Sequence, residues 1–255
     1  MTSFVDEGVV LRRVDYSDTD RILTILTRTH GKLGVIARGV RKAGARMTPH
    51  TDLFARSSLQ LTRGRGELLV LTQAQRSGSA PVLDDPRRAA CAALVAELAD
   101  RVLEEGHPLE PEVYDLVAAA LDGCGDASRD PRVAAAWFAR RIIDRLGYAP
   151  ELWQCANCGA RLRDAPHPFS VVGGGLLCPR CAASDPGAVD CSTAVIKVLR
   201  VVAAGDEALY SRLRLSGAVL DTLEAVVERE LEQHVDRRLR SLEVLRSLER
   251  HRTAV

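Results

Sequence analysis

Apolar and polar positions alternate in short runs through the first eighty residues, and then the period changes. Residues 8–14 carry Val9, Val10, Leu11 and Val14; residues 21–29 alternate Ile22, Thr24 and Leu26; residues 32–40 carry Leu33, Val35, Ile36 and Val40. Two further runs, 59–62 and 68–74, are joined by the turn-like Arg63-Gly64-Arg65-Gly66. A period of two marks a strand with one covered face. Five such strands predict a small barrel, and the commonest five-stranded barrel is the oligonucleotide/oligosaccharide-binding (OB) type.

Beyond Pro81 the period lengthens to that of a helix. Asp84 or Asp85 can cap a helix with Pro86 in its first turn; Cys91, Leu94, Val95, Leu98 and Val102 mark one face, and Gly106 stops it. Pro111 opens a second helix along Val113, Leu116, Val117 and Leu121, closed by Gly123 and Gly125. Asp130-Pro131 opens a third along Ala135, Phe138, Ile142 and Leu146, closed by Gly147. Residues 148–190 are rich in Pro, Gly and Cys and lack a helical period, which resumes near Ser192 with Val195, Val198, Leu199 and Val202. A last stripe, Leu220, Leu223, Val227, Leu231, Val235, Leu239, Leu242 and Leu245, predicts one amphipathic helix over about 218–248, packed on the bundle or paired as a coiled coil. The expected fold is α+β and multidomain: an OB-type barrel at 1–80, helical domain at 81–149 and 191–255, and a cysteine element at 150–190.

That element holds Cys155-Ala-Asn-Cys158 and Cys178-Pro-Arg-Cys181. Two thiols with two residues between them wrap one face of a metal ion, and two such knuckles complete a tetrahedron around Zn²⁺. Gly159 and Gly173-Gly174-Gly175 suit the tight turns this needs. Four thiolates leave no open position for water, so the expected cofactor is one structural zinc ion. An iron–sulfur cluster or a redox pair of thiols are the alternatives. A structural zinc contributes on the order of 10 kcal/mol to ordering such a segment. His167, between the knuckles, is read as a surface residue or a substitute ligand. Cys91, Cys124 and Cys191 are read as small buried residues.

Charge adds a direction. The net charge of the chain is +1, yet residues 1–80 carry 13 Lys and Arg against 7 Asp and Glu, and residues 81–150 carry 8 against 13. A basic first third suggests an anionic partner such as nucleic acid. Lys32, Arg38, Arg41, Lys42 and Arg46 form its densest stretch, with no acid among residues 31–46. On a strand, Leu33, Val35 and Ala37 share one face while Lys32 and Arg38 share the other. Arg41, Lys42 and Arg46 fall on a glycine-containing loop free to follow phosphates, which gives salt-sensitive binding without sequence preference. Phe4, Tyr16 and Phe54 are the only aromatic residues before residue 80, so charge is expected to outweigh stacking.

An acidic N-terminus, and the lack of any stretch near the roughly 20 apolar residues of a membrane span, lead us to expect a soluble, cytoplasmic protein. There is no Gly-x-x-x-x-Gly-Lys-Ser/Thr loop, Gly-x-Ser-x-Gly elbow or His-Glu-x-x-His helix. Asp15, Asp18 and Asp20 could serve a metal-dependent nuclease or simply line a solvated turn. A zinc-ribbon transcription regulator is the other alternative. The expected role is binding, not catalysis.

The chain also resembles the RecO family of recombination mediators along nearly its whole length. Asp18-Thr19-Asp20-Arg21-Ile22-Leu23-Thr24, Gly31-Lys32-Leu33 and Ala37-Arg38-Gly39 look like its N-terminal signature. Leu146-Gly147-Tyr148 leads into Cys155-x-x-Cys158-Gly159, and Phe169-Ser170 through Gly174-Gly175 into Cys178-x-x-Cys181. Gln233-His234-Val235 with Arg238-Leu239-Arg240-Ser241-Leu242 resembles the final motif. The resemblance implies binding of single- and double-stranded DNA, annealing of complementary strands, and work in DNA repair at the nucleoid. It also implies contact with RecR and with the tail of single-stranded-DNA-binding protein (SSB), and help in loading RecA. Lys32 and Arg38 fall on the family's motif. Trp137, Arg140 and Arg141 are the expected contacts for the SSB tail, since an acidic-apolar peptide needs both cation and aromatic.

Overall fold

The computed structural model describes residues 3–64, 66–78, 85–235 and 238–253. Arg65 of the expected turn, Pro81, the alternative cap Asp84, and residues 236–237 of the expected last helix lie outside them. The chain forms two compact units, one of residues 1–131 with 239–255 and the other of residues 132–238.

The five expected strands are all present in the first unit. β1 (Ser3–Tyr16), β2 (Asp20–Thr27), β3 (Gly31–Ala37), β4 (Arg56–Arg63) and β5 (Leu69–Arg76) close a barrel in the order β1-β2-β3-β5-β4. Closure depends on β1, which pairs with β4 along Ser3–Val9 and with β2 along Gly8–Tyr16, with a bulge between Val10 and Arg12. Gly8 belongs to both ladders. A Cβ there would come within 2.7 Å of both Ile25 and Leu59, so a side chain on Gly8 would displace two residues of the barrel core. The short parallel pairing of Val35 with Leu69 and Ile36 with Val70 completes the ring. Val10, Leu23, Ile25, Val35, Ala37, Leu59, Leu61 and Leu71 fill it.

Helices α1 (Pro86–Val102) and α2 (Pro111–Gly125) belong to the same unit. The Asp85 side chain caps α1 by accepting the Arg87 amide, with Pro86 in the first turn as expected. α1 buries Cys91, Leu94, Val95 and Leu98 along with four alanines, a wider face than one stripe, since both α2 and the C-terminal helix pack on it. Arg88 satisfies the far end of α2, donating to the carbonyls of Cys124, Asp126 and Arg129 at 2.7–2.9 Å.

The expected single helix at the C-terminus is two. α7 (Gly217–His234) ends at an extended Val235, and α8 (Arg240–Thr253) starts anew and belongs to the other unit. The apolar stripe thus divides: Leu220, Leu223, Val227 and Leu231 are buried with the second unit, Leu239 and Leu242 with the first. The restart is fixed by Glu97 of α1. Its carboxylate accepts the amides of Arg240 (3.1 Å) and Ser241 (2.8 Å) and the Ser241 hydroxyl (2.7 Å). A side chain from another helix therefore caps α8, something no local periodicity signals.

The second unit opens with α3 (Pro131–Arg145). A sheet of order β7-β6-β8 follows, from β6 (His167–Ser170), β7 (Gly175–Leu176) and β8 (Val189–Cys191), with the short α4 (Pro179–Ala182) between β7 and β8. α5 (Thr193–Ala203), capped by Ser192, the one-turn α6 (Glu207–Tyr210) and α7 complete it. Its interior holds charge as well as apolar groups. Arg140, 1% exposed, pairs with Asp144 at 2.6 Å and closely with Glu230, and donates to the carbonyl of Tyr148 at 2.8 Å. Burial pushes the Glu230 carboxyl up to about 7 against the pull of Arg140. No described helix is long and apolar enough to cross a membrane.

Candidate metal centre and nucleic-acid interface

The two Cys-x-x-Cys segments converge. The sulfurs of Cys155, Cys158, Cys178 and Cys181 lie within 4.8 Å of one another, the one such group of metal-ligating side chains among the described residues. Tetrahedral thiolates about 2.3 Å from a zinc ion stand roughly 3.8 Å apart. The separation of Cys158 and Cys178 is 3.9 Å. The donor set fits a single metal ion.

The backbone builds that site through turns. The Gly159 amide returns to the Cys155 carbonyl at 2.9 Å, with Gly159 at φ +70°. Between the knuckles the chain is stitched by Cys155 N–H to Ala160 O (2.8 Å) and Ala156 N–H to Leu176 O (2.9 Å). Gly175 is required for contact: a Cβ there would lie 2.3 Å from the Glu151 carbonyl oxygen. The Cys178 amide donates to the Cys155 sulfur at 3.3 Å. Burial works to raise the Cys155 thiol, but the amides of Cys178, Cys158 and Asn157 outweigh it and hold the thiol down at about 6. The exposed Arg180 lies against Cys158 and Cys178, and those sulfurs hold its guanidinium above its ordinary value. This polarised sulfur cluster suits metal ligation.

His167 is neither a ligand nor on the surface. It is buried on β6, paired with Cys191 of β8, and its Nε2 lies 3.1 Å from the Arg163 carbonyl. Cys91, Cys124 and Cys191 are buried as expected, and burial raises the last two thiols to about 12.

The basic segment lies in the first unit, in the connection from β3 to β4. Sequence periodicity makes this loop free, whereas the structure pins it. The Gly39 amide donates to Asp20 at 2.8 Å, the Arg41 amide to the Thr19 carbonyl at 2.9 Å, and the Arg41 guanidinium to the Ser17 carbonyl at 2.8 Å. Val40 and Phe54 are buried, and Phe54 takes φ +65° while its amide bonds Val10. The Gly39 amide chiefly, with the Thr19 hydroxyl and the charges of Arg38 and Lys42, holds the Asp20 carboxyl below its ordinary value. On this fixed platform Arg38, Arg41, Lys42 and Arg46 are exposed. Arg41 reaches Asp15 at 3.4 Å, whereas the side chains of Arg38, Lys42 and Arg46 have no hydrogen bond or ion pair among the described residues.

Lys32 departs from them. It sits on the outward face of β3 as its register predicts, but it is only 8% exposed. Its ammonium donates to the backbone carbonyl of Asp100 and lies 3.3 Å from the Asp100 carboxylate, which also receives Arg12 at 3.0 Å. Lys32 is thus the cation at the C-terminal end of α1, a favourable position in the field of that helix. The adjacent Gly106 amide bonds the Lys32 carbonyl at 2.9 Å and covers the strand further.

The aspartate triplet does not converge on a metal position. Asp15 pairs with Arg21 and Arg41, and Asp20 holds the Gly39 turn. Nor do Trp137, Arg140 and Arg141 form a surface. Trp137 is 4% exposed against Tyr210, Arg140 lies in the ionic interior, and Arg141 bonds Asp144 and the Val202 carbonyl at 3.5 Å. Three of the four residues expected on the α3 stripe, Ala135, Phe138 and Ile142, are buried, together with Ala136, Trp137, Ala139, Arg140 and Ile143, whereas Leu146 lies past the helix end and is 40% exposed. Sequence reading missed the cap residue Glu97 and the exposed Trp153, which no periodic stripe contains.

The family description "Recombination protein O N terminal" matches residues 1–79, and "Recombination protein O C terminal" matches residues 83–243. The chain is 34% identical to the DNA repair protein RecO of Exiguobacterium sibiricum over 95% of its own length and 96% of that relative. It is 35% identical to that of Desulforudis audaxviator over 97% and 98%, and 30% identical to that of Cutibacterium acnes over 96% and 99%.

Proposed function

The chain belongs to the RecO family, and from that premise we propose that it is a DNA repair and recombination mediator that acts by binding and annealing DNA. The observation that carries this reading is the set of exposed cations, Arg38, Arg41, Lys42 and Arg46, on one fixed loop of a small barrel. Cations held in place neutralise phosphates without reading bases and release counterions as they do so. A protein that neutralises two strands lowers their mutual repulsion, so complementary strands pair. No covalent step is needed.

The proposal extends to one structural zinc ion on Cys155, Cys158, Cys178 and Cys181. When bound, the ion supplies cross-linking of the two knuckles and no open coordination position. Its proposed protein partners are RecR and the acidic tail of SSB, with which it helps load RecA at the nucleoid, in the cytoplasm. The proposed tail contact leaves out Trp137 and Arg140, whose burial speaks against that role.

Annealing of complementary oligonucleotides, followed with equilibrium binding across a salt series, tests the reading. Arg38→Ala is expected to weaken binding to single- and double-stranded DNA alike and to lower the salt slope by about one unit. Unchanged affinity at every salt concentration would remove Arg38 from the interface. Absence of DNA binding by the intact, metal-loaded protein in dilute buffer would end the proposal.

A further inference from the structure

The chain has two tryptophans, and the structure treats them oppositely: Trp137 is 4% exposed, while Trp153 keeps 53% of its surface in solvent. A single exposed ring is ordinary on a protein surface; what sets Trp153 apart is the fixed backbone and the cations around it, next to the first cysteine knuckle. Its backbone is held firmly. The Trp153 amide donates to Glu151 at 2.8 Å, and its carbonyl accepts the Leu162 amide at 3.1 Å. The flanking Leu152 is fully buried, and its carbonyl takes the Arg200 guanidinium at 2.8 Å. The ring is therefore presented by a rigid base.

Its surroundings are cationic. The Arg200 guanidinium lies 5.7 Å from the ring centroid. Three residues earlier on α5 is Lys197, 65% exposed, whose nearest acid is Asp164 at 4.0 Å. That aspartate adjoins Arg163, on the segment that bonds Trp153, and Arg161 pairs with Gln154 across the same two segments. Arg161 and Arg163 are exposed, and their side chains have no ion pair or hydrogen bond among the described residues. Against these four cations stand Asp164 and Glu151, and the Glu151 carboxylate is turned to the amides of Trp153 and Gln154.

A fixed aromatic ring among cations matches the chemistry of a single nucleic-acid strand, which offers a base to stack and phosphates to neutralise. We propose that Trp153, with Arg161, Arg163, Lys197 and Arg200, is a base-stacking contact for single-stranded DNA on the cysteine element, separate from the barrel loop. Duplex DNA keeps its bases stacked inside and gains little from the ring, so this contact favours the single strand. The inference rests on the DNA-binding reading above and adds a second, chemically different contact to it.

The test uses the full-length, metal-loaded protein, oligo(dT) and a duplex of equal length. Trp153→Ala is expected to weaken oligo(dT) binding about 5- to 100-fold, the range for one lost stacking contact, and duplex binding far less. Trp153→Phe should retain most of the affinity, since stacking needs a ring and not an indole. The emission lost between wild type and Trp153→Phe should be quenched by oligo(dT). Lys197→Gln should lower the salt slope by about one unit. Metal content and far-ultraviolet dichroism check each variant; if Trp153→Ala fails to fold, the quenching and Lys197→Gln decide. Wild-type binding by Trp153→Ala alongside weakened binding by Arg38→Ala would overturn this contact and leave the barrel reading standing. No oligo(dT) binding by wild type would overturn both. Quenching by an acidic-apolar peptide, with none by oligo(dT), would overturn the contact in favour of a protein partner.

Discussion

The arginines of the barrel loop and those at the heart of the second unit are the same residue put to opposite uses. Arg38 and Arg46 stand in solvent, on a stretch with no acid of its own, and the aspartates of β1 and β2 that the loop meets are engaged by the Gly39 amide or by Arg21 and Arg41. Arg140 is 1% exposed and Arg132 4%, each facing two carboxylates: Asp144 and Glu230 for the first, Asp221 and Glu224 for the second. The barrel has an apolar core and can leave its cations for a ligand. The second unit buries charge in its interior and gathers four sulfurs in a segment with few large apolar residues. A count of cations therefore says little about binding until each one's carboxylate is known.

The sharpest way to break that contrast is to remove the metal. Chelation, or Cys178→Ser, is expected to unfold the cysteine element, a loss on the order of 10 kcal/mol where zinc is the organiser. The barrel should retain its β-sheet dichroism. Equal thermal melting of loaded and chelated protein would show that the sulfurs hold nothing structural.

Next in size is Arg140→Met, expected to cost about 3–5 kcal/mol because Glu230 is left buried without its partner. The pH dependence has a definite sign. Glu230 is an acid whose folded value lies above its unfolded one, so the folded state loses stability as pH rises from the ordinary carboxylate range through about 7. Without Arg140 that folded value rises further, and the penalty should be larger near about pH 8 than near about pH 6. Denaturant titrations at both pH values check this. Arg140→Met with Glu230→Leu should recover much of the loss; a double variant as unstable as the single one would mean that packing, not charge, sets the cost.

A smaller effect, about 1 kcal/mol, is expected for Glu97→Gln, which weakens the cap on α8. Burial acts to raise the Glu97 carboxyl, but the donors on Ser241 and Arg240 prevail and hold it below its ordinary value. Its contribution is thus present at neutral pH and lost as pH falls through that lowered value. Hydrogen exchange of the α8 amides should quicken in the variant; unchanged protection would mean that Leu239 and Leu242 alone hold the helix.

Much of the fold was legible because the signals are local. The alternation at Val9, Ile22 and Val35 marked strands, Asp85-Pro86 and Ser192 marked helix starts, and the cysteine spacing marked the sulfur cluster. The period of Leu220 through Leu245 was legible too, yet it could not report that the helix breaks after His234, because the cap that restarts it belongs to a residue 144 positions away. Likewise a basic strand pattern could not separate Lys32 from Arg38: the difference is Asp100, 68 positions along the chain.

By itself, then, the sequence determined which segments become strands and helices, and which four sulfurs share a centre, since hydrophobic period and ligand spacing act over a few residues. Tertiary structure alone decided which cations stay in solvent and which tryptophan is shown to it. Both depend on what distant segments bring to the same place, where a buried charge must find its partner and an exposed one need not.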